Sequence, residues 1–302
     1  MRRMASVFLN NLTLESKICY VQYMVYYTNV ERGMSDLEVL KPMALSLAKS
    51  FGAALTSPIQ YSVQNPPSNA AYNQAKDIVN KAQRDIAARN KEEITLSYDI
   101  AKKSLERVLF LRVFEDELFG KASKEGVIET SFSFCEMAVH FFNNAQRLYT
   151  HIQKQGNEDD QKFLAQARKK HTQAERLSRR VTTDLESYKR YNRFISDEDR
   201  LFYDKVWQEP TDPSLAYGEH LCSLAGLFTE VAMVAAAKVE SYMDTARMVD
   251  SVLFAHNEAE RITWQNIKTT MMGKMRPHAK NIPLILNMAE DHYKTALRFC
   301  VS

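Results

Sequence analysis

The chain has 302 residues, of which 45% are apolar, and it carries 40 lysines and arginines against 37 aspartates and glutamates. Its eight glycines and eight prolines are about half the usual share of each. Because an all-β barrel or sandwich needs many turns, this composition excludes that class, and the apolar content excludes global disorder. Since every run of 18 residues is interrupted by charged or polar residues, we expect no transmembrane helix.

The four cysteines lie far apart in the chain, at Cys19, Cys135, Cys222 and Cys300. Their spacing matches neither a CxxC metal site nor a disulfide-dense scaffold. The residues that follow the basic N-terminus are too polar for the apolar region of a secretory signal. Reduced thiols and a cytoplasmic location are therefore the simplest interpretation.

The N-terminal quarter is predicted to contain a helical segment and a linker. Residues 1–57 form the segment, with apolar residues at helical spacing toward its end. Residues 58–68 contain three prolines and are predicted to be the linker. Ser68 or Asn69 is the expected N-cap of the helix that follows.

The middle of the chain, residues 69–209, is predicted to be a long helical hairpin. Residues 70–119 contain no glycine or proline, so a helix here would reach about 75 Å. Its apolar residues recur every three or four positions in one stripe. We expect residues 120–126 to stop or bend this helix, and residues 155–160 to form a polar loop before a second stretch without breakers, residues 161–207.

The C-terminal part, residues 210–302, is predicted to consist of helices that pack on the same bundle. Two prolines at 210 and 213 mark a break, after which Asp212 or Ser214 can cap a helix. Residues 221–237 include 13 apolar residues among 17, which predicts a helix buried on most sides. Residues 273–283 are expected to form a basic connector before a short final helix.

Together these stretches predict an all-α protein. Uninterrupted segments much longer than the globular mean of about 11–12 residues favour an elongated antiparallel bundle or coiled coil. The sequence has no Glu-x-x-His pair of the di-iron type, no phosphate-binding Gly-rich loop and no Gly-x-Ser-x-Gly elbow. We therefore expect no catalytic residues, no metal site and no cofactor.

Positive charge is concentrated in residues 168–193, where nine cations and three acids give a net charge of +6, whereas the whole chain is only +3. On a helix, five of the cations fall within an arc of about 120°, while Lys170 turns away. A concentrated field attracts anionic surfaces, so all nine are predicted to bind lipid headgroups. They are Arg168, Lys169, Lys170, Arg176, Arg179, Arg180, Lys189, Arg190 and Arg193.

Residues 87–107 resemble the second long helix of BAR domains, such as those of amphiphysins and sorting nexins. In amphiphysin-like members a charged run precedes Tyr-Asp-x-Ala, a pair of basic residues, one further residue and Leu-Glu. The matching residues of this sequence are Tyr98-Asp99, Ala101-Lys102-Lys103 and Leu105-Glu106. The resemblance implies a BAR-like homodimer whose positive face lies on curved anionic membrane, with residues 168–193 on that face.

The resulting hypothesis is a non-enzymatic, peripheral membrane scaffold that binds anionic phospholipid as a dimer and senses or shapes curvature in trafficking, for example at endosomes. Two alternatives stay open. The chain is equally compatible with a helical adaptor that binds other proteins, for which the basic run is incidental. A helical protein that coats nucleic acid is the weaker alternative, because the net charge is low for that class.

Overall fold

The computed structural model describes most of the chain in several stretches. These are residues 33–42, 44–45, 69–114, 118, 124–155, 160–191, 212–251 and 258–300. Within these ranges the backbone is helical almost throughout and no residue belongs to a strand. The predicted all-α class is confirmed. The linker predicted at residues 58–68 lies outside the described residues.

In the described part of the chain, five long helices follow a shorter helical segment at residues 33–42 and 44–45. They contain between 31 and 45 residues. In chain order they are α1 (Asn69–Val113), α2 (Lys124–Gln155), α3 (Gln161–Tyr191), α4 (Pro213–Ser251) and α5 (Glu258–Cys300).

The core is formed mainly by α4, which packs along α5 and against α1, while α1 packs against α2. Phe110 of α1, Phe141 of α2 and Phe228 of α4 are almost fully buried, and the rings of Phe141 and Phe228 lie 5.4 Å apart. The apolar stripe predicted on α1 contributes to this core. A second, smaller buried cluster lies where α3 packs across α1 and α2.

The break after α1 comes earlier than expected. Helix α1 ends at Val113, and α2 begins at Lys124, so Gly126 lies in the first turn of a helix and not in a connector. Val127 and Phe134 are buried on one side of α2. Because burying this side requires helical geometry from the first turn onward, packing outweighs the low helix propensity of glycine.

The start of α4 agrees with the sequence. Pro213 is the first helical residue, and the Asp212 Oδ1 atom accepts hydrogen bonds from the backbone N–H groups of Ser214 (2.9 Å) and Leu215 (3.4 Å). Asp212 is thus the N-cap, since its side chain satisfies donors that have no partner inside the helix. This part of the prediction is confirmed.

The predicted connector at residues 273–283 is wrong, because α5 continues through Gly273, Pro277 and Pro283. The three residues lie at exposed or half-buried positions. The buried side of α5 runs past them without interruption, at three- or four-residue spacing, and packs on α4. We attribute the continuous helix to this packing, which outweighs the cost of two prolines.

The short segment before α1 packs against α5. Leu37 and Ala44 are buried, and the Lys41 ammonium forms an ion pair with Glu290. A Cβ atom added at Gly33 would overlap the ring of Tyr293. A side chain at position 33 would therefore displace that ring. The remaining residues of the predicted N-terminal segment, including residues 1–32, lie outside the described residues.

Candidate functional site

Helix α3, which carries the predicted lipid-binding residues, packs on the bundle through one narrow side. Leu164 and Ala167 are buried against α1 and α2. His171 lies next to them, with its ring stacked on Phe142 at 4.5 Å between ring centres. The His171 Nδ1 atom and the Tyr98 hydroxyl share a hydrogen bond of 3.2 Å. This apolar and aromatic side of α3 faces α1 and α2.

Positively charged side chains occupy the opposite side of α3. At about 100° per residue they fall within an arc of about 120° that points away from Leu164 and Ala167. All of them are exposed to solvent. We call this group the cationic face of α3; it consists of Lys162, Arg168, Lys169, Arg176 and Arg179.

Among the described residues, an acid pairs with only one cation of this face. Arg179 pairs with Glu175, one turn before it on the same helix, with 2.5 Å between nitrogen and oxygen. In the part of the chain that the structure describes, Arg168, Lys169 and Arg176 form no ion pair. Because exposed like charges close together create a field that attracts anions, the cationic face is a candidate anion-binding surface.

Lys170 does not belong to this face, as the spacing predicted. Its ammonium group donates a hydrogen bond of 3.0 Å to Asp99 on α1. A second ion pair, between Lys91 of α1 and the buried Asp160, holds the beginning of α3. The two pairs orient α3 on α1, so Lys170 has a structural role here.

The structure describes the other four predicted residues only in part. Arg180, Lys189 and Arg190 lie on α3, but their side chains are outside the described residues, as is the whole of Arg193. Their assignment to the lipid-binding surface stays a prediction. Of the nine residues, the structure brings four together on one exposed side and turns one toward α1.

A groove lies beside the cationic face, between the end of α2 and the beginning of α3. It encloses about 550 Å³ and has Arg168 and Lys169 on its α3 side and Tyr149 and Gln153 on its α2 side. The Thr172 hydroxyl at its edge donates to the Arg168 carbonyl at 3.0 Å. The groove therefore offers amide and cationic donors next to one another, as an anionic headgroup requires.

A buried polar cluster at the centre of the bundle was not predicted. It is made of Glu93, Ser97, Asn144, Lys238 and His278, contributed by α1, α2, α4 and α5. The Lys238 ammonium donates to Glu93 Oε2 at 2.7 Å, and the Asn144 amide donates to Glu93 Oε1 and to Ser97 Oγ, both at 3.1 Å. Lys238 is 0% exposed and Glu93 4%.

The charges in this cluster shift the pKa values of its members. Burial alone would raise the pKa of Glu93, but Lys238, His278 and the hydrogen bond from Asn144 hold it below its ordinary value. Burial lowers the pKa of Lys238, and Glu93 opposes this effect. Burial, together with the charge of Lys238, lowers the pKa of His278 to about 4. Near neutral pH the imidazole of His278 is therefore uncharged, and Glu93 and Lys238 form an ion pair.

The surroundings of the buried polar cluster indicate that it stabilises the fold and does not bind a ligand. Both carboxylate oxygens of Glu93 accept hydrogen bonds from the protein itself, and neither Glu93 nor Lys238 is open to solvent. A weak sequence signal existed, because Lys238 directly follows the apolar residues 221–237. A lone lysine in an otherwise apolar stretch must find a buried partner or leave the core.

Within the described ranges, no three His, Cys, Asp or Glu side chains are grouped as a metal ion would require. Burial raises the pKa of the Cys135 thiol to about 11, and a protonated thiol is a poor nucleophile. The expectations of no catalysis, no metal and no cofactor stay predictions.

One stretch of the described helices, Pro213–Val249, has the length and apolar composition needed to cross a membrane. Length and composition alone select this stretch, so the expectation of no transmembrane helix stays a prediction. Its most apolar window is 61% buried against the rest of the protein, which is the environment of a core helix.

No protein-family model, no curated protein and no solved structure matches this chain.

Proposed function

We propose that the protein binds anionic phospholipid surfaces through the cationic face of α3 and acts there as a non-enzymatic scaffold. The observation that carries the proposal is the arrangement of this helix. Its apolar side packs on α1 and α2, and its exposed side presents five cations along about 26 Å, from Lys162 to Arg179. A flat, charged helix side of this kind can contact many headgroups at once.

We propose that the protein binds the membrane as a homodimer, because the cationic face of a single copy would bind only weakly. Each cation near an anionic membrane contributes about 1 kcal/mol, so one face gives weak, salt-sensitive binding. A homodimer that presents two such faces would bind far more tightly. The apolar stripe of α1 packs inside its own chain, so the dimer we propose uses another surface.

The proposal extends to shape. Helix α1 has 45 residues and spans about 67 Å. Helices of this length suit an elongated, BAR-like rod that senses or shapes membrane curvature in trafficking. A small-angle scattering profile of the purified protein tests this extension. A maximum dimension well beyond that of a compact protein of this mass is expected, and a compact profile would rule out the rod.

Lipid binding is tested by co-sedimentation with vesicles of phosphatidylcholine, with and without phosphatidylserine. The variant combines Lys169→Glu and Arg176→Glu. Its matched control combines Lys274→Glu and Lys280→Glu, two exposed lysines of α5, and changes the net charge by the same amount. We expect binding only with phosphatidylserine, about thirty-fold weaker for the α3 variant, and within about two-fold of the unmodified protein for the control.

Other outcomes would favour the other functions. Equal binding to both kinds of vesicle, or to neither, would contradict the lipid proposal and favour the helical adaptor. Salt-sensitive retardation of generic oligonucleotides, lost in the α3 variant, together with no vesicle binding, would favour coating of nucleic acid. Equal losses in the variant and its control would mean that total charge, and not the cationic face, is responsible.

A further inference from the structure

A second cavity lies away from the cationic face, at the end of the bundle where α1 and α5 end and α2 and α4 begin. It encloses about 640 Å³, within the range of roughly 300–1,000 Å³ that small-molecule sites occupy. Along α1 it is about 18 Å from the position of Asp99, where Lys170 of α3 is bound. The proposed lipid contact therefore makes no use of it.

The walls of this cavity are apolar and its opening is polar. Described residues from four helices form the walls, among them Leu111, Val127, Phe134, Met137, Leu221 and Phe299. Two exposed carboxylates, Glu129 and Asp291, and one exposed guanidinium, Arg298, lie at the opening. Among the described residues, the opening thus carries two negative charges and one positive charge.

The threonine and serine hydroxyl groups around the opening already donate hydrogen bonds to backbone carbonyls of their own helices. Thr130 donates to the Gly126 carbonyl at 2.6 Å, Ser133 to the Glu129 carbonyl at 3.1 Å and Thr295 to the Asp291 carbonyl at 2.8 Å. What these hydroxyls can offer a ligand is the remaining lone pairs on their oxygen atoms. They are therefore acceptors toward the cavity.

His292, which also lines the cavity, likewise offers a ligand only a hydrogen-bond acceptor. Its Nδ1 atom lies 2.7 Å from the Met288 carbonyl, which can only accept, so Nδ1 carries the proton. Burial lowers the pKa of His292, and the neutral ring then has an acceptor at Nε2. Its ring also contacts Phe134, with 5.6 Å between ring centres. The apolar wall at Phe134 thus lies next to the Nε2 atom of His292, which can only accept a hydrogen bond.

From this inventory we propose that the cavity binds a small lipophilic amine, with its hydrocarbon part between the apolar walls and its protonated nitrogen at Glu129 and Asp291. An ammonium group brings three donors and one positive charge. It satisfies an opening that is rich in acceptors and carboxylates. A carboxylate of the same size could pair with Arg298 but would face the like charges of Glu129 and Asp291, so it should bind more weakly.

The test is isothermal titration of the whole protein with octylamine, octanol and octanoate, below the concentrations at which they form micelles. We expect octylamine to bind one molecule per chain, about ten-fold more tightly than octanol, and octanoate more weakly than octanol. Glu129→Gln combined with Asp291→Asn should reduce octylamine binding to the level of octanol. The control, Glu136→Gln, changes another exposed glutamate of α2 that does not line the cavity and should leave binding unchanged.

A second variant separates binding in the cavity from adsorption elsewhere. Ser133 is exposed at the opening, so Ser133→Trp can block the cavity without disturbing the core, which circular dichroism will verify. It should abolish binding of octylamine and octanol alike. Binding that survives Ser133→Trp, equal affinities for the three compounds, or no binding by octylamine would each overturn the proposal.

Discussion

Helices α3 and α4 use the same type of residue in opposite ways. On α3, Lys169 is exposed and belongs to a group of five cations without a buried partner. On α4, Lys238 is 0% exposed and bound to Glu93. The first lysine adds to a surface field and little to folding, whereas the second is part of the interior. The surroundings of a charged side chain thus decide whether it contributes to binding at the surface or to the stability of the fold.

The largest expected effect comes from Lys238→Met. It leaves the Glu93 carboxylate buried without its cation, which should lower the free energy of unfolding by about 3–5 kcal/mol. Urea unfolding near neutral pH measures this change. Lys169→Met is the matched control and should change stability by no more than about 0.5 kcal/mol. Adding Glu93→Gln to Lys238→Met should restore much of the lost stability. Equal losses of stability in Lys238→Met and Lys169→Met would contradict the difference in role between the two lysines.

Next in size is Leu164→Ala, which tests how α3 is held. Leu164 is buried in the small cluster between α1, α2 and α3, so the truncation should cost about 2 kcal/mol or more. Because this small cluster holds α3 on the bundle, the loss should be seen as faster amide exchange in α3 than in α4. Leu164→Met should be nearly neutral. An equal increase of exchange in both helices would show that α3 does not open separately.

A smaller effect is expected from the pH dependence of His278. Its pKa is lowered to about 4 in the folded protein by burial and by Lys238, and Arg147 opposes protonation as well, while Glu93 favours it. As the pH falls below its ordinary pKa of 6.5, the unfolded chain takes up a proton that the folded protein does not. Stability is therefore lost as the pH falls toward 4 and is fully present above 6.5.

The measurement for His278 is urea unfolding at about pH 7 and about pH 5. His278→Gln should lose about 1–2 kcal/mol less than the unmodified protein between these two conditions. The pKa of His292 is also lowered, but His292 is present in both proteins and does not affect the difference. Identical pH dependence in the two proteins would refute the assignment to His278.

The smallest effect is expected from Arg179→Ala on the cationic face. Its pair with Glu175 is exposed and one turn apart on the same helix, so its loss should cost less than about 0.5 kcal/mol of stability. Under the proposed function the same variant weakens sedimentation with phosphatidylserine vesicles by about five-fold. Thermal unfolding and vesicle binding measured on one preparation distinguish the two roles. A large loss of stability would mean that Arg179 belongs to the fold.

The parts of the fold that depend on local sequence were predictable. The all-α class follows from the scarcity of glycine and proline, and Asp212 was one of two predicted caps, with Ser214, because the signal lies within three residues. The outward arrangement of Arg168, Lys169, Arg176 and Arg179 follows from helical spacing alone, once α3 is a helix. Each of these inferences concerns residues that are neighbours in the chain.

What the sequence could not show depends on contacts between distant residues. Glu93 and Lys238 are separated by 145 positions, and a pattern of charges does not say which helix sides meet. The helix through Pro277 and Pro283 exists because α5 packs on α4, which outweighs a local preference against it. The cavity near His292 was hidden for the same reason, since four separate helix ends form it.

The dependence of α5 on α4 has a consequence for synthesis. Two prolines in a helix of 43 residues make α5 a poor helix on its own, so it becomes ordered only where α4 is present to receive it. The ribosome releases α4 first, so the side of α4 that α5 covers stays exposed until the residues of α5 have emerged, whereas α1 is already present to pack on another side. During that interval this apolar side of α4 can contact other apolar surfaces.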